Sequence, residues 1–284
     1  MISVVIPAYN EEDSVGETIV SVRAVLADAE HEIVVVDDGS SDNTSGRALS
    51  AGARVVRHPH NLGYGAALKT GIRVAKGDAI VITDADGTYP SEYILSLIKE
   101  HAAGFDMVVG SRTGEQYWSS ALKSPMRLIL KWLVEFTTGR RVPDVNSGLR
   151  VFSKEQVTPY LDHLCNSFSF TTSLTLAYMM TSKFVTYLPI PYNKRIGRTK
   201  VRLLRDALRT MQYIVEAIVY YNPLKMFVLL SSGLLLVAVL LMFSAAMFRS
   251  FQLLYIGVGS LLTMVVVFCM GLLAELLRQV VARR

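Results

Sequence analysis

The sequence predicts an α/β domain, a mainly parallel sheet with helices on both faces, followed by a C-terminal hairpin of two membrane-spanning helices. Three observations predict it. Short apolar, β-branched runs alternate with helical patterns from Ile2 to Ile190. Carboxylates recur directly after the main apolar runs. Two long apolar runs, Met226 to Phe248 and Leu253 to Leu273, close the chain with only a short break between them.

The totals agree with this division. Apolar residues make up 51% of the 284, and the excess collects after Met226. The two cysteines, Cys165 and Cys269, make neither a disulfide framework nor a zinc cluster, which fits a reducing compartment. Strand-like Ile2 to Pro7 follows Met1 without a signal-peptide pattern, so the N-terminal domain is expected to stay in the cytosol.

The elements follow in order. Ile2 to Pro7 reads as a buried strand, and Tyr9-Asn10-Glu11-Glu12 as a polar loop at its end. Ser14 and Glu17 have capping-box spacing before a helix over Val15 to Leu26. Glu32 to Val36 is a second strand, ending in Asp37-Asp38-Gly39-Ser40-Ser41-Asp42. Thr44 to Ala51 is a helix, Arg54 to Arg57 a short strand, and Asn61 to Gly65 a turn before a helix over Ala66 to Ala75. His58 and His60 flank Pro59 and read as surface or supporting residues. Ala79 to Thr83 is wholly apolar except at its end, and runs into Asp84-Ala85-Asp86-Gly87. Such a run reads as a strand buried on both faces. Its two carboxylates are hard oxygen ligands, suited to Mg²⁺ or Mn²⁺ carrying phosphates.

Tyr93 to His101 is a helix, and Asp106 to Gly110 a strand leading into Ser111-Arg112. An arginine there is well placed for a phosphate. Val142 to Phe152 is a loop and a short strand, Ser169 to Met180 a helix, and Phe184 to Ile190 a strand stopped by Pro191. Right-handed crossovers place Glu11, Asp37, Asp38, Asp84 and Asp86 along one sheet edge, where open α/β sheets bind ligands. The first strand lacks a Walker or dinucleotide loop, which counts against ATPases and dehydrogenases. The chain also lacks a metalloprotease helix motif and a serine-hydrolase elbow.

The net charge of +5 resides between Lys194 and Arg209. Beside an apolar hairpin this cluster suits anionic lipid or a phosphorylated substrate rather than nucleic acid. Leu122 to Thr137, with Trp132 and Phe136, and Leu203 to Tyr221 have the pattern of helices lying in a membrane interface, although packing on the domain core explains the first nearly as well. Basic residues before and after the hairpin, against Arg249 alone between its arms, put both ends in the cytosol.

Pro7-Ala8-Tyr9-Asn10-Glu11-Glu12, Val35-Val36-Asp37-Asp38-Gly39-Ser40, Asp84-Ala85-Asp86-Gly87 and Gly110-Ser111-Arg112 resemble the successive motifs of family 2 glycosyltransferases. Asn146-Ser147-Gly148-Leu149-Arg150, the Arg195-to-Lys200 segment and the hairpin are similar to the polyprenyl-phosphate group of that family, which includes dolichyl-phosphate mannose synthases. The resemblance implies a GT-A, Rossmann-like fold. It implies nucleotide binding by Pro7, Ala8, Tyr9, Glu11, Asp37, Asp38 and Asp84, and a metal, Mg²⁺ or Mn²⁺, on Asp84 and Asp86. It implies an acceptor phosphate on Arg112, Arg195 and Lys200, which with Asp86 would form the catalytic set. Tyr89 stands where the mannose synthases have Gln, which weakens a mannose assignment.

The expected reaction is inverting transfer of a hexose from a UDP- or GDP-sugar to a polyprenyl phosphate at a lipid bilayer. Transfer to a polysaccharide or glycolipid is the alternative, and a non-catalytic scaffold or a nucleotidyltransferase fits less well. The expected organisation is a catalytic domain over 1–200, an interfacial helix over 201–222 and a two-helix anchor over 223–284. The sequence leaves the sugar, the nucleotide and a homo-oligomer open.

Overall fold

The sheet has seven strands in the order β3-β2-β1-β4-β6-β5-β7. They are β1 (Ile2–Ala8), β2 (His31–Asp37), β3 (Arg54–Arg57), β4 (Ala79–Ile82), β5 (Met107–Thr113), β6 (Arg150–Ser153) and β7 (Val185–Pro191). In this computed structural model residues 1–114, 124–193 and 203–282 are described. Every pairing is parallel except those of β6, which runs antiparallel between β4 and β5. The chain therefore winds outward from β1 to β2 and β3, then crosses to β4 on the other side. That reversal is a topological switch point, the place where a crevice opens outside the strand ends.

The central strands are apolar because both faces are covered. Val4 and Ile6 of β1, Val35 of β2 and Val81 of β4 share one buried cluster with Val15, Ile19 and Val22 of α1 (Val15–Val25), Ala48 of α2 (Thr44–Ser50), and Ile94 and Leu97 of α4 (Ile94–Ala102). Val34 and Val36 point the other way, onto Ala67 of α3 (Tyr64–Val74). Each such side chain contributes about 1.5–3 kcal/mol through burial. This is the helix-covered, mainly parallel sheet that the sequence predicts.

Three local expectations need correction. Ser14 and Glu17 do not form a capping box: the Ser14 side chain makes no cap hydrogen bond and donates to Glu11 at 3.4 Å instead. β2 runs one residue further than predicted, so Asp37 lies inside the ladder, opposite Ala8 and Arg57. The helix after the Asn61 turn begins at Tyr64, which puts that side chain at the crevice.

The chain forms two compact units, Met1–Ile214 and Val215–Arg284. The second unit holds two helices, Pro223–Phe248 and Phe251–Ala282, long and apolar enough by length and composition to cross a membrane. Asn222 caps the first by accepting from the Lys225 amide at 3.3 Å. Arg249 ends it in the left-handed conformation, φ 48° and ψ 41°. The second helix runs well past the expected end at Leu273.

Candidate active site

A cleft of about 460 Å³ opens at the C-terminal ends of β1, β2 and β4. Pro7 and Ala8 line it from the end of β1, Tyr9 and Glu11 from the loop after it, Asp38 from the turn after β2, and Asp84 and Asp86 from the turn after β4. Seven of the eleven residues singled out in the sequence thus meet in one place. Asp37 and Arg112 are not among the lining residues, and Arg195 and Lys200 lie outside the described residues.

Asp37 holds its own turn. It is 1% exposed, accepts from the Ser40 amide at 2.8 Å and from the Ser45 hydroxyl, and lies 3.6 Å from Arg57. Asp38 faces the cleft but is fixed from behind. Its Oδ1 pairs with His58 Nδ1 at 2.7 Å and accepts from the Leu62 amide, and its Oδ2 accepts from the Gly63 amide at 2.8 Å. His58 is buried and reaches Thr70 on α3 through Nε2 at 3.0 Å. It is therefore a supporting residue rather than a surface one.

Asp86 is buried, and its Oδ1 accepts from the Thr88 amide and hydroxyl at 3.1 and 2.6 Å. Asp84 Oδ1 accepts from the Tyr64 hydroxyl at 2.8 Å. Burial, with Asp84 beside it, pushes the Tyr64 phenol well above its ordinary pKa, so at neutral pH it is a donor. On another side of Asp84 lies Gly148, where a Cβ would stand 2.8 Å from both carboxylate oxygens. A glycine is required there because any side chain would displace the carboxylate.

Two carboxylates one residue apart suit a divalent cation that completes its octahedral shell with water and substrate phosphate. Among the described residues no group of three or more His, Cys, Asp and Glu is placed to hold an ion. Asp84 and Asp86 offer the hard oxygen donors that suit Mg²⁺ or Mn²⁺.

Arg112 follows the buried part of β5. Asp144 grips its guanidinium from Nε at 2.7 Å and from one terminal nitrogen at 2.8 Å. Burial raises the Asp144 pKa, but the Arg112 charge and hydrogen bonds, with the Asn146 amide, together hold the carboxyl below its ordinary value. The Tyr192 ring lies 5.3 Å from the guanidinium and meets Tyr89 edge-on. The Tyr89 hydroxyl in turn accepts from the Gly148 amide at 2.7 Å. These contacts join Arg112 through Tyr192 and Tyr89 to Gly148, the residue beside Asp84.

The loop carrying Asp144 and Gly148 is held from below by Arg150, which is fully buried. Its guanidinium donates to the Ser147 carbonyl at 2.8 Å, the Val145 carbonyl at 2.9 Å and the Thr175 hydroxyl at 2.7 Å. Sequence reasoning quoted Arg150 only as part of a resemblance and passed over Tyr64, Asp144 and Phe168. The one available signal was Asp144 itself, an acid standing after Pro143 in a loop already singled out.

Comparisons with known proteins bear on the family and the fold. The model of glycosyl transferase family 2 matches residues 3–158. The undecaprenyl-phosphate 4-deoxy-4-formamido-L-arabinose transferase of Pseudomonas fluorescens is 35% identical over 196 residues, 62% of this chain and 57% of its own length. The chain therefore spans little more than half of that relative. The dolichyl-phosphate hexose transferase of Haloferax volcanii is 29% identical over 201 residues, 70% of this chain and 86% of that one. Among solved structures, glucosyl-3-phosphoglycerate synthase from Mycobacterium tuberculosis, in complex with Mn²⁺, UDP-glucose and phosphoglyceric acid, has a TM-score of 0.62 at 23% identity. The match covers 76% of this chain and 79% of that one, and it shows that the fold is GT-A-like.

Proposed function

The chain belongs to glycosyl transferase family 2, and from that premise we propose that it transfers a hexose from a UDP- or GDP-sugar to a polyprenyl phosphate at a membrane surface. The observation that carries the proposal is the cleft itself, which gathers the first-strand loop, Asp38 and the Asp84–Asp86 pair at one sheet edge. The names of the Pseudomonas and Haloferax relatives support the lipid-phosphate acceptor.

In this reading Pro7, Ala8, Tyr9, Glu11 and Asp38 receive the base and ribose. Asp38 enters binding already oriented by His58 and two backbone amides. Asp84 and Asp86 would hold Mg²⁺ or Mn²⁺, which offsets negative charge on the departing nucleoside diphosphate. A phosphate oxygen of the acceptor attacks the anomeric carbon from the face opposite the diphosphate. The new C–O bond forms as the bond to the diphosphate breaks, and the configuration inverts. A phosphate monoester loses its second proton near pH 6, so the attacking oxygen is anionic without a general base. Arg112, with Arg195 and Lys200, would bring that phosphate beside the diphosphate. Asp144 takes two of the five N–H donors of Arg112 and fixes its direction.

The apolar helices over 223–284 would anchor the chain, with the catalytic domain and both ends in the cytoplasm. Exposed Leu128 and Trp132, the latter stacked on Phe136, would rest in the interface, as would the helix Leu203–Tyr221.

The test uses full-length protein in detergent with Mn²⁺ or Mg²⁺, a short-chain polyprenyl phosphate and a panel of radiolabelled UDP- and GDP-sugars. Label entering the organic phase from one donor, lost in Asp86→Ala, is the expected result. Label passing to water or to a saccharide instead would refute the acceptor and keep the family.

A further inference from the structure

We propose that Tyr64 is a positioning residue for the cation-bearing carboxylate: its phenol fixes Asp84, and Phe168 fixes the phenol. The inference rests on the reading of Asp84 as a metal ligand. Tyr64 is the first residue of α3. The residue before it, Gly63, has φ 108° and gives its amide to Asp38, so the start of α3 is pinned to the end of β2. From there the Tyr64 hydroxyl crosses to Asp84 Oδ1 at the end of β4, 2.8 Å away.

The ring cannot swing freely. Phe168 stacks on it with centroids 5.6 Å apart and planes 20° from parallel. Phe168 is 41% exposed at the cleft, so burial alone does not hold it. The segment that carries it is tied to α3. Buried Lys69 donates to the Leu164 carbonyl and to Asn166 Oδ1 at 2.7 Å, and the Ala66 amide donates to the Asn166 carbonyl at 3.0 Å. Lys69 thereby sets Phe168, Phe168 sets the Tyr64 ring, and the ring sets the direction of its O–H.

Asp84 profits from a directed donor because Gly148 brings no side chain to its flank. Carboxylates that bind metal are oriented by such outer hydrogen bonds, and losing one typically costs about 10–100-fold in metal affinity. Tyr64→Phe removes the hydroxyl and keeps the stacking ring, so it isolates that contribution.

The experiment is a Mn²⁺ titration of the full chain in detergent micelles, read by the electron paramagnetic resonance signal of free Mn²⁺, with and without UDP or GDP. Wild type, Tyr64→Phe, Phe168→Leu and Asp84→Asn are compared, each with its thermal midpoint. Tyr64→Phe is expected to weaken Mn²⁺ roughly 10-fold or more at an unchanged midpoint, and Phe168→Leu to move the same way by less. Wild-type affinity in Tyr64→Phe while Asp84→Asn loses Mn²⁺ overturns this proposal alone. Loss of Mn²⁺ in Tyr64→Phe only in step with a falling midpoint also overturns it. No Mn²⁺ binding by wild type, or none lost in Asp84→Asn, overturns the metal reading as well.

Discussion

Asp37-Asp38 and Asp84-Ala85-Asp86 are near twins in sequence, each a pair of acids after an apolar strand, yet the fold uses them differently. β2 keeps its ladder through Asp37, so that carboxylate stays inside and closes its own turn. β4 leaves its ladder at Ile82, and both acids beyond it line the cleft while Ala85 between them is buried. An acid within the ladder serves the strand's own turn; an acid past its end can serve a ligand. One residue of register separates a structural role from a chemical one.

The strongest way to break this contrast is at Asp86. Asp86→Asn keeps an oxygen for Thr88 and removes the charge, and should cut transfer on the order of 10³-fold with little change in thermal midpoint, several kcal/mol of transition-state stabilisation being at stake. Full activity in that variant would remove the chemical role from β4. Next comes Arg150→Met, which leaves the Val145 and Ser147 carbonyls and the Thr175 hydroxyl without their donor. It should destabilise the domain by about 3 kcal/mol, seen as a fall in the midpoint of thermal unfolding.

Asp37→Asn sharpens the comparison from the other side. It should cost about 1–3 kcal/mol of stability, while nucleotide affinity measured by calorimetry stays within a few-fold of wild type. Lost affinity at full stability would mean that Asp37 serves the ligand after all. The smallest effect concerns acid. The Asp144 pKa is depressed in the fold, so the stability its pair with Arg112 contributes is present above the unfolded carboxyl value of about 3.9 and is lost as pH falls through the folded value. The difference in midpoint between wild type and Asp144→Asn should therefore be flat from neutrality to about pH 5 and shrink only below about pH 4. Shrinkage between pH 5 and 7 would contradict the pairing.

Much of this was legible in the sequence, and the reason is local. Apolar runs with periods of two and 3.6 residues, and acids at their ends, report on neighbours along the chain, and they placed the sheet, the covering helices and the Asp38, Asp84 and Asp86 corner. What stayed hidden depends on contacts between distant residues. Nothing near Tyr64 says that its hydroxyl meets Asp84, or that Phe168 lies across its ring. For His58 the sequence left a surface and a supporting role open, because its partners, Asp38 and Thr70, come together only when β2, β3 and α3 pack. The Ser14 capping box failed for a local reason instead: Glu11, three residues earlier at the lip of the cleft, accepts from the hydroxyl.

The loop from Asp144 to Arg150 carries a consequence for how such a protein can change over time. At one end Asp144 grips Arg112; Gly148 lies against Asp84; at the other end Arg150 is rooted in the core. The spacing between these three residues is fixed by three different neighbours. Val145 and Leu149 are buried between these points, so they tolerate only side chains of similar volume, and inserting or deleting one residue would misplace the arginine and the carboxylate together. The loop is closed to changes of length.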